Sequence, residues 1–110
     1  MTPRVALVDD ERRMLDILAM VLGRDGYDVA TFESGDTFLT AHREANFDAL
    51  VTDLKMPGMD GIELLRRVRE ATPTLPVVLM TAYATVQTAV GALKQGAFDY
   101  VQKPFDNAEM

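Results

Sequence analysis

The chain has 110 residues, 48% of them hydrophobic, which is enough apolar material for one domain with a single core. Its 11 basic and 17 acidic residues give a net charge of -6, which argues against nucleic-acid binding through phosphate neutralisation. Cysteine is absent, which excludes disulfides and thiolate metal sites. No signal-peptide pattern and no membrane-spanning apolar run is evident, so we expect a cytoplasmic protein.

The first predicted repeat is a strand at residues 4–8 followed by a helix at 11–24. Apolar residues of the helical segment recur three and four positions apart, which is typical of a helix with one buried face. The pair Asp25-Gly26 is expected to end this helix. The face toward the core is predicted to comprise Met14, Ile17, Leu18, Val21 and Leu22.

The second and third repeats each contain a strand and a helix with a recognisable cap. The strands are predicted at 28–32 and 49–52. Ser34 can cap the helix after the first of them, and Asp60 can cap the helix after the second. Residues 56–59 carry a turn signature between the third strand and its helix. The inner stripe of the third helix is predicted to comprise Ile62, Leu65 and Val68.

The last two repeats begin with a strand at 77–80 that is apolar on both faces, which suits a parallel sheet covered by helices on both sides. A helix over 86–94 and a strand over 99–102 follow. Asp106 could cap a fifth helix, but the chain stops at Met110 before one turn is complete. We therefore expect a single α/β domain that lacks most of its fifth helix and is the N-terminal part of a longer protein.

Three carboxylates stand at or just past the ends of predicted strands, where open parallel sheets bind ligands. Asp9 and Asp10 follow the first strand, and Asp53 follows the third. Helix capping is an equally good account of the first pair, but two adjacent acids followed by Glu11 exceed what one cap requires. A hard divalent cation with oxygen ligands, Mg²⁺ above all, would relieve their repulsion. Beside such an ion, Asp53 could attack a phosphoryl group.

The fourth and fifth strands end in residues that suit a bound phosphoryl group. Thr81 supplies a hydroxyl after the fourth strand, and Lys103 supplies an ammonium after the fifth. Each has an ordinary alternative, a strand-end threonine and a solvated lysine. Their joint occurrence favours a role beside a phosphorylated Asp53.

These positions together resemble the receiver domain of bacterial two-component response regulators, over essentially the whole chain and in the order and spacing of that family. The resemblance implies a flavodoxin-like sheet with strand order 2-1-3-4-5, which sets the first and third strands side by side. It rests on Val8-Asp9-Asp10-Glu11, on Asp53-Leu54-Lys55-Met56-Pro57-Gly58-Met59-Asp60-Gly61, on Met80-Thr81-Ala82 and on Lys103-Pro104-Phe105.

The resemblance also implies roles for the site residues. Asp53 would accept the phosphoryl group from a phosphohistidine of a sensor histidine kinase. It would also bind Mg²⁺ together with Asp9, Asp10 and the backbone carbonyl of Lys55. The phosphoryl oxygens would be bound by Thr81 and Lys103.

The same resemblance implies a switch in which Thr81 moves toward the phosphate and the ring of Tyr100 fills the vacated space. Simple packing of a half-buried strand tyrosine is the alternative. The fourth helix fits a mobile element, because it is rich in small residues and Gly91 lowers its helix propensity. Its main anchors are predicted to be Val86, Val90 and Leu93.

Three further features are expected from the family analogy. Lys55 and Tyr83 lie two residues after Asp53 and Thr81, where side chains control water access to the acyl phosphate. Bulky Tyr83 is predicted to slow hydrolysis. The peptide bond between Lys103 and Pro104 is predicted to be cis, a geometry available to X-Pro bonds.

Rival functions fit the residues less well. A phosphatase of the haloacid dehalogenase type needs a second aspartate where this chain has Lys55, so we expect a switch that holds its phosphoryl group rather than an enzyme. A flavodoxin-like electron carrier would meet repulsion from residues 9–11, and no P-loop motif is present. The only histidine, His42, is predicted to be a partly exposed surface residue, which disfavours a histidine phosphotransfer module.

The expected partners follow from the same resemblance. The 97–106 segment is similar to receivers of enhancer-binding transcription activators, so the output domain of the same polypeptide is predicted to control transcription. A phosphorylation-dependent homodimer through the fourth helix and fifth strand is a further expectation. Direct nucleic-acid binding by this domain and membrane binding are not expected.

Overall fold

The computed structural model describes residues 2–43, 45–81 and 86–102, which form a five-stranded parallel sheet packed with helices. The strands are β1 (Arg4–Val8), β2 (Asp28–Phe32), β3 (Ala49–Asp53), β4 (Val77–Thr81) and β5 (Asp99–Gln102). The helices are α1 (Arg12–Arg24), α2 (Gly35–His42), α3 (Gly61–Ala71) and α4 (Val86–Lys94). The strand order β2-β1-β3-β4-β5 confirms the predicted topology.

The predicted boundaries hold to within one residue. β3 and β4 each extend one residue further than expected, so that Asp53 and Thr81 are the last residues of their strands. α1 begins at Arg12, and Glu11 occupies the extended position before it. Both functional candidates on these strands therefore lie within the hydrogen-bonded sheet rather than in the loops that follow.

Helix ends are set by local chemistry that the sequence indicates. The Ser34 hydroxyl accepts a hydrogen bond from the backbone N–H of Thr37 at 3.2 Å, and the Asp60 carboxylate accepts one from Glu63 at 2.9 Å. Both predicted caps are thus confirmed. Beyond α1, Gly26 adopts a φ of 95°, a left-handed conformation that glycine reaches without steric cost.

Two apolar clusters pack against opposite faces of the sheet. The main core lies between the sheet and α2, α3 and α4, and a smaller cluster lies between the sheet and α1. Alternation along each strand divides its side chains between them, as in β1, where Ala6 and Val8 join the main core and Val5 and Leu7 join the smaller cluster.

The inward faces of α1 and α3 agree in part with the predicted ones and include further residues. In α1 the fully buried residue is Leu15, which was not predicted, whereas Val21 is 43% exposed. In α3, Leu64 is buried along with the predicted Leu65 and Val68. The predicted Leu18 and Leu22 pack against the smaller cluster, so the prediction of the α1 face is partly confirmed and is wrong for Val21.

The predicted anchors of α4 are also wrong where the structure describes them. Val90 is 44% exposed and Leu93 is 51% exposed, while Ala92 is fully buried in the main core. The side chain of Val86 is outside the described part of the structure. Burying alanine removes little apolar surface from water, so the described residues of α4 hold it to the sheet only weakly.

His42 is half-buried, as predicted, but its contacts were not foreseen. Its ring stacks on Phe38 with 5.2 Å between centroids. Its Nε2 lies 3.0 Å from the Thr72 hydroxyl, which joins the C-terminal ends of α2 and α3. Within the described ranges, no helix has the length and apolar character needed to cross a membrane.

Candidate functional site

Buried polar side chains are concentrated at one edge of the sheet. In the part of the chain that the structure describes, they are Asp9, Thr52, Asp53 and Thr81. All four lie at or next to the carboxyl ends of β1, β3 and β4, where open parallel sheets form their ligand sites. Asp9 is only 2% exposed and Asp53 only 7%, a burial that carboxylates rarely adopt without a specific role.

The strand order brings the three predicted acids together. β1 and β3 are parallel neighbours, and their register pairs Val8 with Thr52, so the next residues, Asp9 and Asp53, lie level. Together with exposed Asp10, they offer carboxylate oxygens that lie within 4.8 Å of one another. The predicted convergence of these acids is thus observed.

The spacing of these oxygens fits a divalent cation. Mg²⁺ binds oxygens at about 2.1 Å in an octahedron, which sets its ligands about 3 to 4.2 Å apart. Oxygens that lie within 4.8 Å of one another need only small side-chain adjustments to reach such a geometry. The cluster of Asp9, Asp10 and Asp53 is therefore able to hold a hard metal ion.

Asp9 also serves the turn that leads into α1. Its Oδ1 accepts a hydrogen bond from the backbone N–H of Glu11 at 2.9 Å, and its own N–H donates to the Phe32 carbonyl at 3.1 Å. The capping alternative is therefore partly right, since one Asp9 oxygen satisfies a donor close to the helix start. These two bonds fix where Asp9 stands relative to β2 and α1.

The backbone after Asp53 is fixed by neighbouring elements. The N–H of Leu54 donates to the Met80 carbonyl at 2.8 Å, and the Leu54 carbonyl accepts the N–H of Gly61 at 2.8 Å. The intervening loop, residues 55–60, contains Lys55, whose side chain is exposed. The contact to Gly61 escaped the sequence reasoning, because the pair Asp60-Gly61 is typical of an ordinary turn and does not by itself indicate a close backbone approach.

The two predicted switch residues, Thr81 and Tyr100, lie on adjacent strands. Thr81 is 3% exposed and pairs in register with Gln102, one residue before Lys103. Tyr100 is half-buried, packs against the main core and pairs with Leu79, two positions before Thr81. Tyr100 and Thr81 are thus brought to neighbouring strands, as predicted.

Some predicted features lie outside the described residues. They are Tyr83, Lys103 and the peptide bond between Lys103 and Pro104. Their predicted roles stay predictions.

Comparison with known proteins identifies the class of this fold and site. The response regulator receiver domain model matches residues 5–110, and the chain belongs to this family. Among its relatives, the DNA-binding transcriptional regulator NtrC of Klebsiella pneumoniae is 44% identical over 100 residues, which cover 91% of this chain and 21% of NtrC. The regulatory protein AtoC of Escherichia coli K12 is 42% identical over 107 residues, which cover 97% of this chain and 23% of AtoC.

Solved structures agree with this assignment. The beryllofluoride-activated receiver domain dimer of NtrC4 matches with a TM-score of 0.87 and 33% identity, covering 93% of this chain and 84% of that one. The predicted receiver-domain resemblance and its flavodoxin-like fold are confirmed. The chain spans about a fifth of the length of the curated relatives it matches.

Proposed function

We propose that this chain is the phosphoryl-accepting switch of a two-component signalling system, with Asp53 as the acceptor. The observation that carries the proposal is the meeting of Asp9, Asp10 and Asp53 at the carboxyl edge of the sheet in a receiver-family chain. A sensor histidine kinase would be the donor. A carboxylate oxygen of Asp53 would form the bond to phosphorus while the phosphorus–nitrogen bond of a phosphohistidine breaks, and the electron pair would leave on the imidazole nitrogen.

The other site residues would support this transfer. A bound Mg²⁺ would neutralise negative charge on the phosphoryl oxygens, and its protein ligands would be the three carboxylates and the Lys55 backbone carbonyl. The Thr81 hydroxyl would donate a hydrogen bond to one phosphoryl oxygen. The Lys103 ammonium would pair with another, in charge-assisted contacts that are stronger than neutral ones.

The site would hold its phosphoryl group rather than turn it over rapidly. The exposed Lys55 side chain stands where dehalogenase-type phosphatases carry a general acid, so water attack would lack that assistance. Tyr83 would shield the acyl phosphate further. Replacing Tyr83 with alanine should shorten the phosphorylated lifetime, and an unchanged decay rate would defeat this part of the proposal.

Phosphorylation would act on α4 and β5. Movement of the Thr81 hydroxyl toward the phosphate would free space for the Tyr100 ring, which already packs at the edge of the main core. α4 could then shift at small cost, because buried Ala92 is a small anchor while Val90 and Leu93 remain largely exposed. This surface would transmit the signal.

We place the chain at the start of a longer, cytoplasmic transcriptional regulator, on the basis of its similarity to NtrC and AtoC. Its acidic character supports a signalling rather than a DNA-contacting role for this domain. The NtrC4 receiver forms a beryllofluoride-activated dimer, which supports phosphorylation-dependent dimerisation here. Sedimentation with and without beryllofluoride tests this, and an unchanged sedimentation coefficient would contradict it.

The central experiment tests Asp53 directly. The chain is incubated with Mg²⁺ and acetyl phosphate, and its intact mass is measured for wild type, Asp53→Asn and the control Asp36→Asn. Asp36 is an exposed aspartate in the first turn of α2 and is not one of the carboxylates that meet in the acidic cluster. We expect the mass of one phosphoryl group to be added to wild type and Asp36→Asn alone. Equal labelling of Asp53→Asn would contradict the assignment of Asp53 as the phosphoryl acceptor.

A further inference from the structure

The start of α3 lies unusually close to the backbone of the proposed acceptor residue. A Cβ atom placed on Gly61 would lie well inside contact distance of the Asp53 carbonyl oxygen and 2.9 Å from the Cα of Leu54. These are backbone atoms of a strand end, so they cannot rotate away as a side chain would. Only glycine lets α3 begin at this position.

Hydrogen bonds hold the same backbone from both sides. The Gly61 N–H donates to the Leu54 carbonyl, and the Leu54 N–H donates to the Met80 carbonyl of β4, each at 2.8 Å. The cap from Asp60 to the Glu63 N–H fixes the first turn of α3. Asp53 is therefore followed by a residue fixed between β4 and α3.

A second glycine, Gly35, lies against the other end of the 55–60 loop. A Cβ on Gly35, the first residue of α2, would lie 2.9 Å from the Met59 sulfur and 3.4 Å from a methyl carbon of Leu64. The half-buried Met59 side chain thus occupies the space that a side chain at Gly35 would need. Both neighbouring atoms are ends of flexible side chains, so this contact can yield more easily than the one at Gly61.

We propose that Gly61, assisted by Gly35, is a positioning residue for the acceptor and metal site. The two glycines fix the 55–60 loop against β3 and α2, and this contact sets the Asp53 carboxylate and the Lys55 carbonyl relative to Asp9. The proposal rests on the function proposed above. Neither glycine is among the residues proposed above to bind the phosphoryl group or the metal ion.

The test compares Gly→Ala substitutions by their effect on Mg²⁺ affinity. Gly61→Ala is expected to weaken Mg²⁺ binding by about 10- to 100-fold, the usual effect of disturbing residues that orient metal ligands. Gly23→Ala is the matched control, because a Cβ at this helical glycine in α1 meets nothing within 4 Å. Calorimetric titration of the 110-residue chain with MgCl₂, well below each unfolding midpoint, gives the dissociation constants.

A second control separates positioning from loss of stability. Val68→Ala removes a fully buried side chain in the middle of α3, so it should lower stability and leave the Mg²⁺ dissociation constant unchanged. A Gly61→Ala variant that is destabilised but binds Mg²⁺ like wild type would overturn the proposal. If Gly61→Ala does not fold, the test depends on Gly35→Ala. This variant is expected to fold because the Met59 side chain can move aside. We expect it to weaken binding by about threefold, and unchanged binding overturns the proposal.

Wild type distinguishes the failure of this proposal from failure of the proposed function. If beryllofluoride with Mg²⁺ affects wild type no more than it affects Asp53→Asn, the proposed receiver activity is wrong. The positioning role is then wrong as well. If wild type responds and the glycine variants bind Mg²⁺ as tightly as wild type, only the positioning role is overturned.

Discussion

The carboxyl edge of the sheet and the main core bury side chains of opposite kinds. At the edge, Asp9 and Asp53 are buried within reach of a third carboxylate. In the core, Phe38, Leu64 and Leu79 have no exposed surface and pack within the main apolar cluster. The comparison teaches that one part of the protein supplies apolar burial while the other gathers carboxylates whose mutual repulsion a divalent cation would relieve.

The largest expected effect is on the core side. Leu64→Ala should lower the free energy of unfolding by about 3–5 kcal/mol, because the enclosed site cannot collapse around the cavity. Leu93→Ala, at a position 51% exposed, should change it by less than about 0.5 kcal/mol. Urea denaturation measures both, and equal losses would contradict the division between core and surface.

Removing a charge at the carboxyl edge should raise the free energy of unfolding, whereas Leu64→Ala lowers it. Without Mg²⁺ at neutral pH, Asp53→Asn should raise the free energy of unfolding by about 1–2 kcal/mol, because it removes like-charge repulsion over less than 5 Å. The exposed Asp36→Asn variant should show no gain. A destabilised Asp53→Asn protein would indicate that the edge is not under electrostatic strain.

Mg²⁺ binding at the carboxyl edge should stabilise the folded protein. At ten times its dissociation constant, a ligand that binds only the folded state stabilises it by about 1.4 kcal/mol. This gain should appear in wild type and shrink in Asp10→Asn, whose side chain is an exposed member of the cluster. Thermal unfolding at matched ionic strength, with NaCl replacing MgCl₂, provides the control.

The smallest expected effect concerns a surface charge network outside both regions. The pKa of Glu63 is held below its ordinary value, first by a hydrogen bond from Arg66 and then by one from Arg67. A lowered carboxyl pKa stabilises the fold at neutral pH, and this contribution is lost as the pH falls through the folded-state pKa. Glu63→Gln should therefore lower the Tm by less than about 2 °C at pH 7, with the difference vanishing in acid. A difference that grows on acidification would contradict this.

The fold was largely predictable because its signals are local. Strand runs, the caps at Ser34 and Asp60, and the turn at Gly26 depend on a few neighbouring residues. The inward face of α1 was only partly predictable, since apolar residues cover more than one side of it. Docking onto Val5 and Leu7 selects Leu15, a choice made by tertiary packing.

The acidic site was predictable for a different reason. Once five parallel strands with the order 2-1-3-4-5 are assumed, Asp9 and Asp53 must meet at one edge. Gly61 and the contacts of His42 could not be found the same way. They depend on how closely two backbones approach and on how two helix ends face each other, and neither leaves a periodic pattern.

The position of β1 between β2 and β3 also has a consequence for the order of folding. β1 pairs with β2 after one short crossover, but its other edge stays open until β3, formed by residues 49–53, arrives. If the shorter crossover closes first, Asp9 and Asp10 would be in place before Asp53 joins them, and charge repulsion would oppose the docking of β3. We expect refolding to be faster in Mg²⁺ than in NaCl of equal ionic strength, a difference that stopped-flow measurement of wild type and Asp53→Asn would reveal or exclude.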